Sequence, residues 1–135
     1  MKITVNHPPI AASRPRVTRW ATFYNEPYSS YRDYLKTYMT KAASEQKIEM
    51  HKKHVPLCVD IDFYMPIPKG TSKKKTLAME NQWQTKKPDK DNLAKSVYDA
   101  MNGVMFHDDG QVCDGRERKM YSSEPRTEIT IKEIT

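Results

Sequence analysis

Glycine is scarce in this chain, with 4 in 135 residues, and cysteine scarcer, with 2. So few glycines supply no Gly-rich loop of the kind that cradles nucleotide phosphates. Cys58 and Cys113 lie far apart, in apolar segments and outside any Cys-x-x-Cys pattern. They are expected to be buried free thiols, not a disulfide or half of a zinc site. The 4 histidines, His7, His51, His54 and His107, lack zinc-ligand spacing. His51 and His54 are expected at a helix end with no metal role. No apolar run approaches the length of a transmembrane helix. The first residues, Met1-Lys2-Ile3-Thr4-Val5-Asn6, are too few and too polar for a secretory signal. The expectation is a protein without membrane contact that stays in the cytoplasm where it is made.

Charge is what the chain has in quantity. Lysine and arginine number 23 against 17 acidic residues, a formal net charge of +6. Such an excess favours a polyanionic partner through counterion release, and equally suits a merely soluble basic surface. With 37% hydrophobic residues the chain can still bury a modest core, and its length suits a single domain spanning 1–135.

Lys2 to Asn6 alternates polar and apolar and predicts a first strand. His7-Pro8-Pro9 ends it, and a basic stretch follows, Arg14-Pro15-Arg16-Val17-Thr18-Arg19-Trp20. A second strand or an ordered loop is expected through Trp20–Tyr24. From Tyr28 to about His51 there is no Gly or Pro, and Tyr31, Leu35, Tyr38, Met39 and Ala42 recur at helical spacing. One long helix is predicted there. Val55 to Met65 is the clearest strand, because Val55, Leu57, Val59, Ile61 and Phe63 alternate with polar residues. Residues 69–87 are lysine-rich and read as a mobile basic loop with a short helix near 71–82. A second helix is predicted over Asp91–Asn102, with Leu93, Val97, Ala100 and Met101 as its apolar stripe and Gly103 past its end. A strand from Gln111 to about Tyr121 and another over Thr127–Ile134 complete the chain, joined by a turn at Glu124-Pro125. This order predicts an α+β domain with helices on a mixed sheet of about four to five strands.

Two acidic clusters can do chemistry. Asp89 and Asp91 sit where the second helix begins, and Asp91 suits its N-cap. An Asp-x-Asp at a turn can aim two carboxylates at one point, and Mg²⁺ takes such hard oxygen ligands together with water and substrate phosphate. Asp108 and Asp109 offer further carboxylates once the chain returns. The helix is about ten residues or ~15 Å long, so the return must run along an extended Val104–Asp109 segment, which can span ~20 Å. Taken singly, the first pair is more often a helix start with acids favouring the dipole, and the second a turn; it is their combination with the surrounding lysines that points to a metal site. Lys95 and Asp99 follow Asp91 at successive spacings of four, either as an ion-pair ladder or as a phosphate contact with its orienting acid.

The run Lys87-Pro88-Asp89-Lys90-Asp91-Asn92-Leu93-Ala94-Lys95-Ser96-Val97-Tyr98-Asp99-Ala100-Met101-Asn102-Gly103, then Asp108-Asp109-Gly110-Gln111-Val112, closely resembles the RusA family of Holliday junction resolvases. The family pattern is roughly [KR]-P-D-x-D-N-x-x-K-x-x-x-D-A-[LM]-[NT], then D-D-x-Q-[VI]. Its members are bacterial, mostly carried by phages and prophages. The resemblance implies a homodimer that resolves four-way DNA junctions by paired symmetric nicks, using Mg²⁺ or Mn²⁺, with no small-molecule substrate. It puts metal binding on Asp89, Asp91 and Asp109, with Asp108 as the alternative to Asp109, and a catalytic phosphate contact on Lys95. Asn92, Asp99 and Gln111 match as positioning groups. DNA binding is expected from Arg14, Arg16, Arg19, Lys73, Lys74, Lys75, Lys86, Lys87, Arg116 and Arg118, and such phosphate contacts predict strong salt dependence. Trp83, in the basic loop, is the first choice for a wedge at the crossover, against the alternative of a core tryptophan.

Two rival readings remain. A restriction-type nuclease would pair Asp89 with Glu117 and Lys119, leaving Asp91, Asn92, Asp108 and Asp109 unused. A non-catalytic DNA-binding module would need a lost ligand, and none is missing.

Overall fold

The computed structural model describes all of residues 1–135. Its elements are β1 (Lys2–Val5), β2 (Arg16–Val17), β3 (Thr22–Phe23), α1 (Tyr28–Glu45), β4 (Leu57–Pro66), α2 (Lys73–Met79), α3 (Lys90–Met101), a 3₁₀ turn (Asp109–Gln111), β5 (Val112–Asp114), β6 (Glu117–Ser122) and β7 (Arg126–Glu133). The architecture is α+β with a mixed sheet, as the alternation of patterns predicts.

β4 is the centre of the sheet. It pairs antiparallel with β7, which pairs with β1, and on its other side it pairs parallel with β5 and then β6. Along β4 the odd-numbered Leu57, Val59, Ile61, Phe63 and Met65 are buried, whereas Asp60, Asp62 and Tyr64 are only half-buried. The period of two thus divides the sheet into an apolar face and a polar one. Ile3, Val5, Ile129 and Ile131 extend the apolar face, and Leu35 and Met39 of α1 and Leu93, Val97 and Met101 of α3 pack into the same core. The polar face is held by charge: Arg118 donates to both oxygens of Asp62 (2.7 and 3.0 Å), and the Arg126 guanidinium stacks 3.8 Å from the Tyr64 ring centroid. Parallel pairing of β4 with β5 and β6 needs a long crossover. That crossover contains α3, which is how the helix with the acidic motif comes to lie against the sheet.

The edge strand expected as one piece is split. Gly115 separates β5 from β6 with φ +135°, and a Cβ there would lie 1.8 Å from the carbonyl oxygen of Val59. Asp60 seals the break by accepting the Arg116 N–H at 2.8 Å. Gly115→Ala should therefore suffer both a forbidden backbone region and an overlap, together about 2–6 kcal/mol. Urea unfolding would read this as a fall in midpoint; an unchanged midpoint would mean the close approach is absent in solution.

Other boundaries also differ. α1 stops at Glu45 instead of running to His51. Lys47 takes φ 53°, Ile48 N–H donates to Ala43 and Lys47 N–H to Ser44, which is a Schellman ending with lysine where glycine is usual. His51 and His54 consequently lie in the following loop, and His51 Nδ1 is 2.9 Å from Glu133. Residues 81–84 are not a free loop. Asn81 and Gln84 donate backbone N–H groups to Tyr121 and Lys119, so the segment adds to the β6 edge. Trp83 pairs there with Met120, whose partner across β4 is Tyr64, and so stands exposed on the polar face away from α3. Cys58 is buried as expected, but Cys113 is exposed. No helix is long and apolar enough to cross a membrane.

Candidate active site

Asp89, not Asp91, is the N-cap residue of α3, with φ −71° and ψ 144°, yet its side chain caps nothing. Both its oxygens instead accept from Lys87 Nζ, at 2.8 and 3.0 Å. That hydrogen bond and the lysine charge hold the Asp89 carboxyl below the usual range, with Lys119 adding to the effect. Asp91 sits in the first turn, exposed and without a hydrogen-bonded partner of its own. The positive end of the helix dipole stabilises its charge there.

Lys95 lies one turn further on, its ammonium 3.5 Å from Asp99. Asp99 also accepts from the Tyr28 hydroxyl of α1 at 3.5 Å. Burial, then the Asp99 charge, pushes the Tyr28 phenol up to about 12. The sequence pattern alone gives Tyr28 and Tyr98 no role at the site. The Tyr98 hydroxyl in fact donates to Glu117 at 3.3 Å, and burial with the charges of Glu117 and Asp109 pushes it to about 12. Tyr31, deep in the core, is also raised to about 12, chiefly by burial. Each phenol ionises less readily in the folded chain than in the unfolded one, where the ordinary value is 10.0. Stability should hold below about pH 10 and fall between about 10 and 12 as tyrosinate forms in the unfolded state first. Urea midpoints measured from pH 8 to 12 would show the fall, and a flat profile above pH 10 would contradict it.

The second acidic cluster is built by a fully used glutamine. Gln111 Oε1 accepts from the N–H groups of His107 and Asp108 (3.1 and 3.3 Å), and Nε2 donates to the carbonyls of Lys52 and Val55 (2.8 and 3.1 Å). Asp108 turns back on its own turn, accepting the Gly110 N–H at 3.3 Å. Asp109 is raised above the usual carboxylate range by partial burial, then by the Asp108 charge and hydrogen bond and the Asp99 charge, while Lys95 opposes the rise. The two aspartates are therefore unlike: one caps a turn, and the other faces the Lys95–Asp99 pair.

The acids are not gathered around one point. No three His, Cys, Asp or Glu groups stand close enough to hold a metal ion. The cause lies in the return path. Residues after α3 do not run extended; Gly103 N–H donates to Phe106, Met105 N–H to Met101, and Met105 and Phe106 are buried. The chain doubles back tightly and brings Asp109 beside Lys95 and Asp99 instead of beside Asp89. Asp91 and Asp99 are separated by about 12 Å of helix, with Lys95 between them.

Lys119 reaches the same side of the sheet, but its ammonium donates to the carbonyls of Lys86 and Pro88 (2.8 and 2.7 Å). It clamps the loop that leads to Asp89, and a restriction-type reading would have to free it from that role. Among the basic residues, Arg14, Arg16 and Arg19 are exposed on and beside the β2–β3 hairpin, Lys73, Lys74 and Lys75 on α2, and Lys86, Lys87 and Arg116 on loops. Arg118 is engaged by Asp62 on the polar face. Ala12, Ser13, Arg14 and Pro15 form one wall of a cavity of about 590 Å³ whose other wall is Asp91, Asn92 and Lys95.

Comparison with known proteins bears on this arrangement. The chain is 37% identical to the uncharacterized protein YqaN of Bacillus subtilis (strain 168), over all of this chain and 97% of that protein. It is 33% identical to a crossover junction endodeoxyribonuclease rusA of Lactococcus phage r1t, over 64% of this chain and 61% of that one. The family described as endodeoxyribonuclease RusA matches residues 6–132, which include every acidic and basic group of the site described above. This chain, an endodeoxyribonuclease, belongs to the RusA family.

Proposed function

We propose that residues 1–135 act as a single domain that cleaves four-way DNA junctions by paired nicks, as a cytoplasmic homodimer using Mg²⁺, with Mn²⁺ able to substitute. The observation that supports this most directly is the row Asp91–Lys95–Asp99 on α3 with Asp109 facing it, within a chain of an endodeoxyribonuclease family. Three carboxylates and one lysine at one surface suit a phosphodiester that must enter from outside.

Asp89, Asp91 and Asp109 do not meet at one point in the free chain, and they would hold the ion only as it and a substrate phosphate draw them together. Their hard oxygens are of the right type for Mg²⁺, and the Asp109 carboxyl is raised first by partial burial and then by the neighbouring acids, effects that a bound cation would offset. Lys87 and Lys95 now supply cationic charge beside these acids. When bound, the ion would polarise the scissile phosphate and favour ionisation of the attacking water. Lys95 adds positive charge where the phosphorane-like transition state gains negative charge. Asp99, itself bonded by Tyr28, keeps the Lys95 ammonium on this surface. Arg14 and the lysines of α2 would neutralise flanking phosphates, so binding should weaken steeply with salt.

The test is cleavage of a fixed four-way junction beside linear duplex of the same sequence, with Mg²⁺, with Mn²⁺ and with EDTA. Symmetric nicking of the junction alone, abolished by EDTA, is expected. Binding without nicking in either metal would favour a non-catalytic binder, and equal cutting of the duplex would remove the junction reading.

A further inference from the structure

The hairpin β2–β3 presents a tryptophan to solvent in a way the core does not need. Its strands pair Arg16 with Phe23 and Val17 with Thr22, and residues 18–21 form the tip. Thr18 orders that tip: its hydroxyl donates to the Ala21 carbonyl and accepts the N–H groups of Trp20 and Ala21, at 3.0–3.3 Å. Trp20 is 85% exposed and Val17 76%, and the ring of Trp20 has the Arg19 guanidinium 5.1 Å from its centroid. An ordered turn that holds an indole out of the core, beside other exposed apolar groups, marks a contact surface.

We infer that Trp20 stacks on an exposed nucleobase at the branch point of the DNA, with Arg14, Arg16 and Arg19 on the adjoining phosphates. The inference rests on the junction-cleaving reading above. Charge selects the occupant. Residues 10–25 contain three arginines and no acid, so a second copy of this basic hairpin would be repelled. An aromatic ring among arginines is the composition of a base-stacking platform. Position agrees with this. The root of the hairpin is tied to α3 by the Ala12 N–H donating to the Asn92 carbonyl at 2.9 Å, and Arg14 and Pro15 share a cavity with Asp91 and Lys95. From Pro15 to Trp20 the chain can extend at most about 17 Å. A base stacked on Trp20 therefore lies within about five nucleotide steps of the Pro15 rim of the cavity that Asp91 also lines. Only a branch or a frayed end offers an unpaired or unstacked base there, which would make the hairpin a reader of DNA structure. Trp83, on the opposite face of the sheet, lacks this relation to α3.

The chain has only these 2 tryptophans, so each can be followed alone. In a Trp83→Phe background, Trp20 emission is measured while four-way junction or linear duplex is added in EDTA. Strong quenching by the junction and little by the duplex is expected, with the Trp20→Phe protein showing little change for either. Trp20→Ala should weaken junction binding by about 5- to 100-fold, leave duplex binding nearly unchanged, and be partly rescued by Trp20→Phe. Unquenched Trp20 emission, or equal weakening for both DNAs, would overturn the inference. So would sedimentation showing that Trp20→Ala converts a dimer into monomers without DNA, since the hairpin would then be a subunit contact. Failure of the underlying reading looks different: the wild-type protein would nick no junction in Mg²⁺ or Mn²⁺, whatever Trp20 emission does.

Discussion

Asp91→Asn is expected to lower junction cleavage about a thousandfold while leaving junction binding intact or tighter. The change removes one charge and almost no volume. Asp91 is exposed in the first turn of α3 and makes no hydrogen bond that the fold depends on. Loss of its favourable place on the helix dipole costs about 0.3–1 kcal/mol, too little to unfold the chain. Removing a metal-holding carboxylate forfeits several kcal/mol of transition-state stabilisation, and each 1.36 kcal/mol is about one power of ten in rate. Binding moves the other way, because a carboxylate repels the phosphate it serves. Glu117→Gln is the matched control. Glu117 accepts from Tyr98 and belongs to the restriction-type alternative. Most cleavage should survive its loss. Retained cleavage in Asp91→Asn, or collapse in Glu117→Gln, would exchange the two assignments. Single-turnover nicking and gel-shift binding of the same junction separate rate from affinity in both variants.

What the sequence made legible follows the strength of its periodicities. β4 and α3 stand where their patterns predict, since ten residues of alternation and a three-turn apolar stripe leave little choice of face. The end of α1 was hidden because Lys47 fills a left-handed position for which glycine is the usual signal. The split at Gly115 was hidden for a different reason. The glycine is visible in the sequence, but the Val59 carbonyl it must admit belongs to a strand more than fifty residues away. Residues 81–84 join the sheet through backbone groups, which any sequence offers equally. At the site, the acidic motif was plain and its layout was not. Whether Asp109 returned to the start of α3 or to its middle depended on how tightly Gly103–Phe106 turned, and the burial of Met105 and Phe106 decided it. Tyr28 and Tyr98 escaped notice because their rings satisfy the apolar pattern while their hydroxyls reach Asp99 and Glu117.

The neighbouring aspartates of the second cluster should respond oppositely to loss of their carboxylates. Asp109→Asn should reduce cleavage about a thousandfold, by the same loss of a metal-holding charge, and should leave stability unchanged or raised. Its carboxylate is crowded by Asp108 and Asp99, and the neutral amide relieves that repulsion. Asp108→Ala should instead cost about 1 kcal/mol of stability, since its side chain caps the turn by accepting the Gly110 N–H. Cleavage should fall in that variant only as far as the turn loosens, and Gln111 limits the loosening by tying His107 and Asp108 to Lys52 and Val55. Thermal melts beside single-turnover nicking distinguish the two roles. If Asp108→Ala abolished cleavage with an unchanged melting temperature while Asp109→Asn cleaved normally, the ligand would be Asp108, and its cap would have to open for the ion to bind.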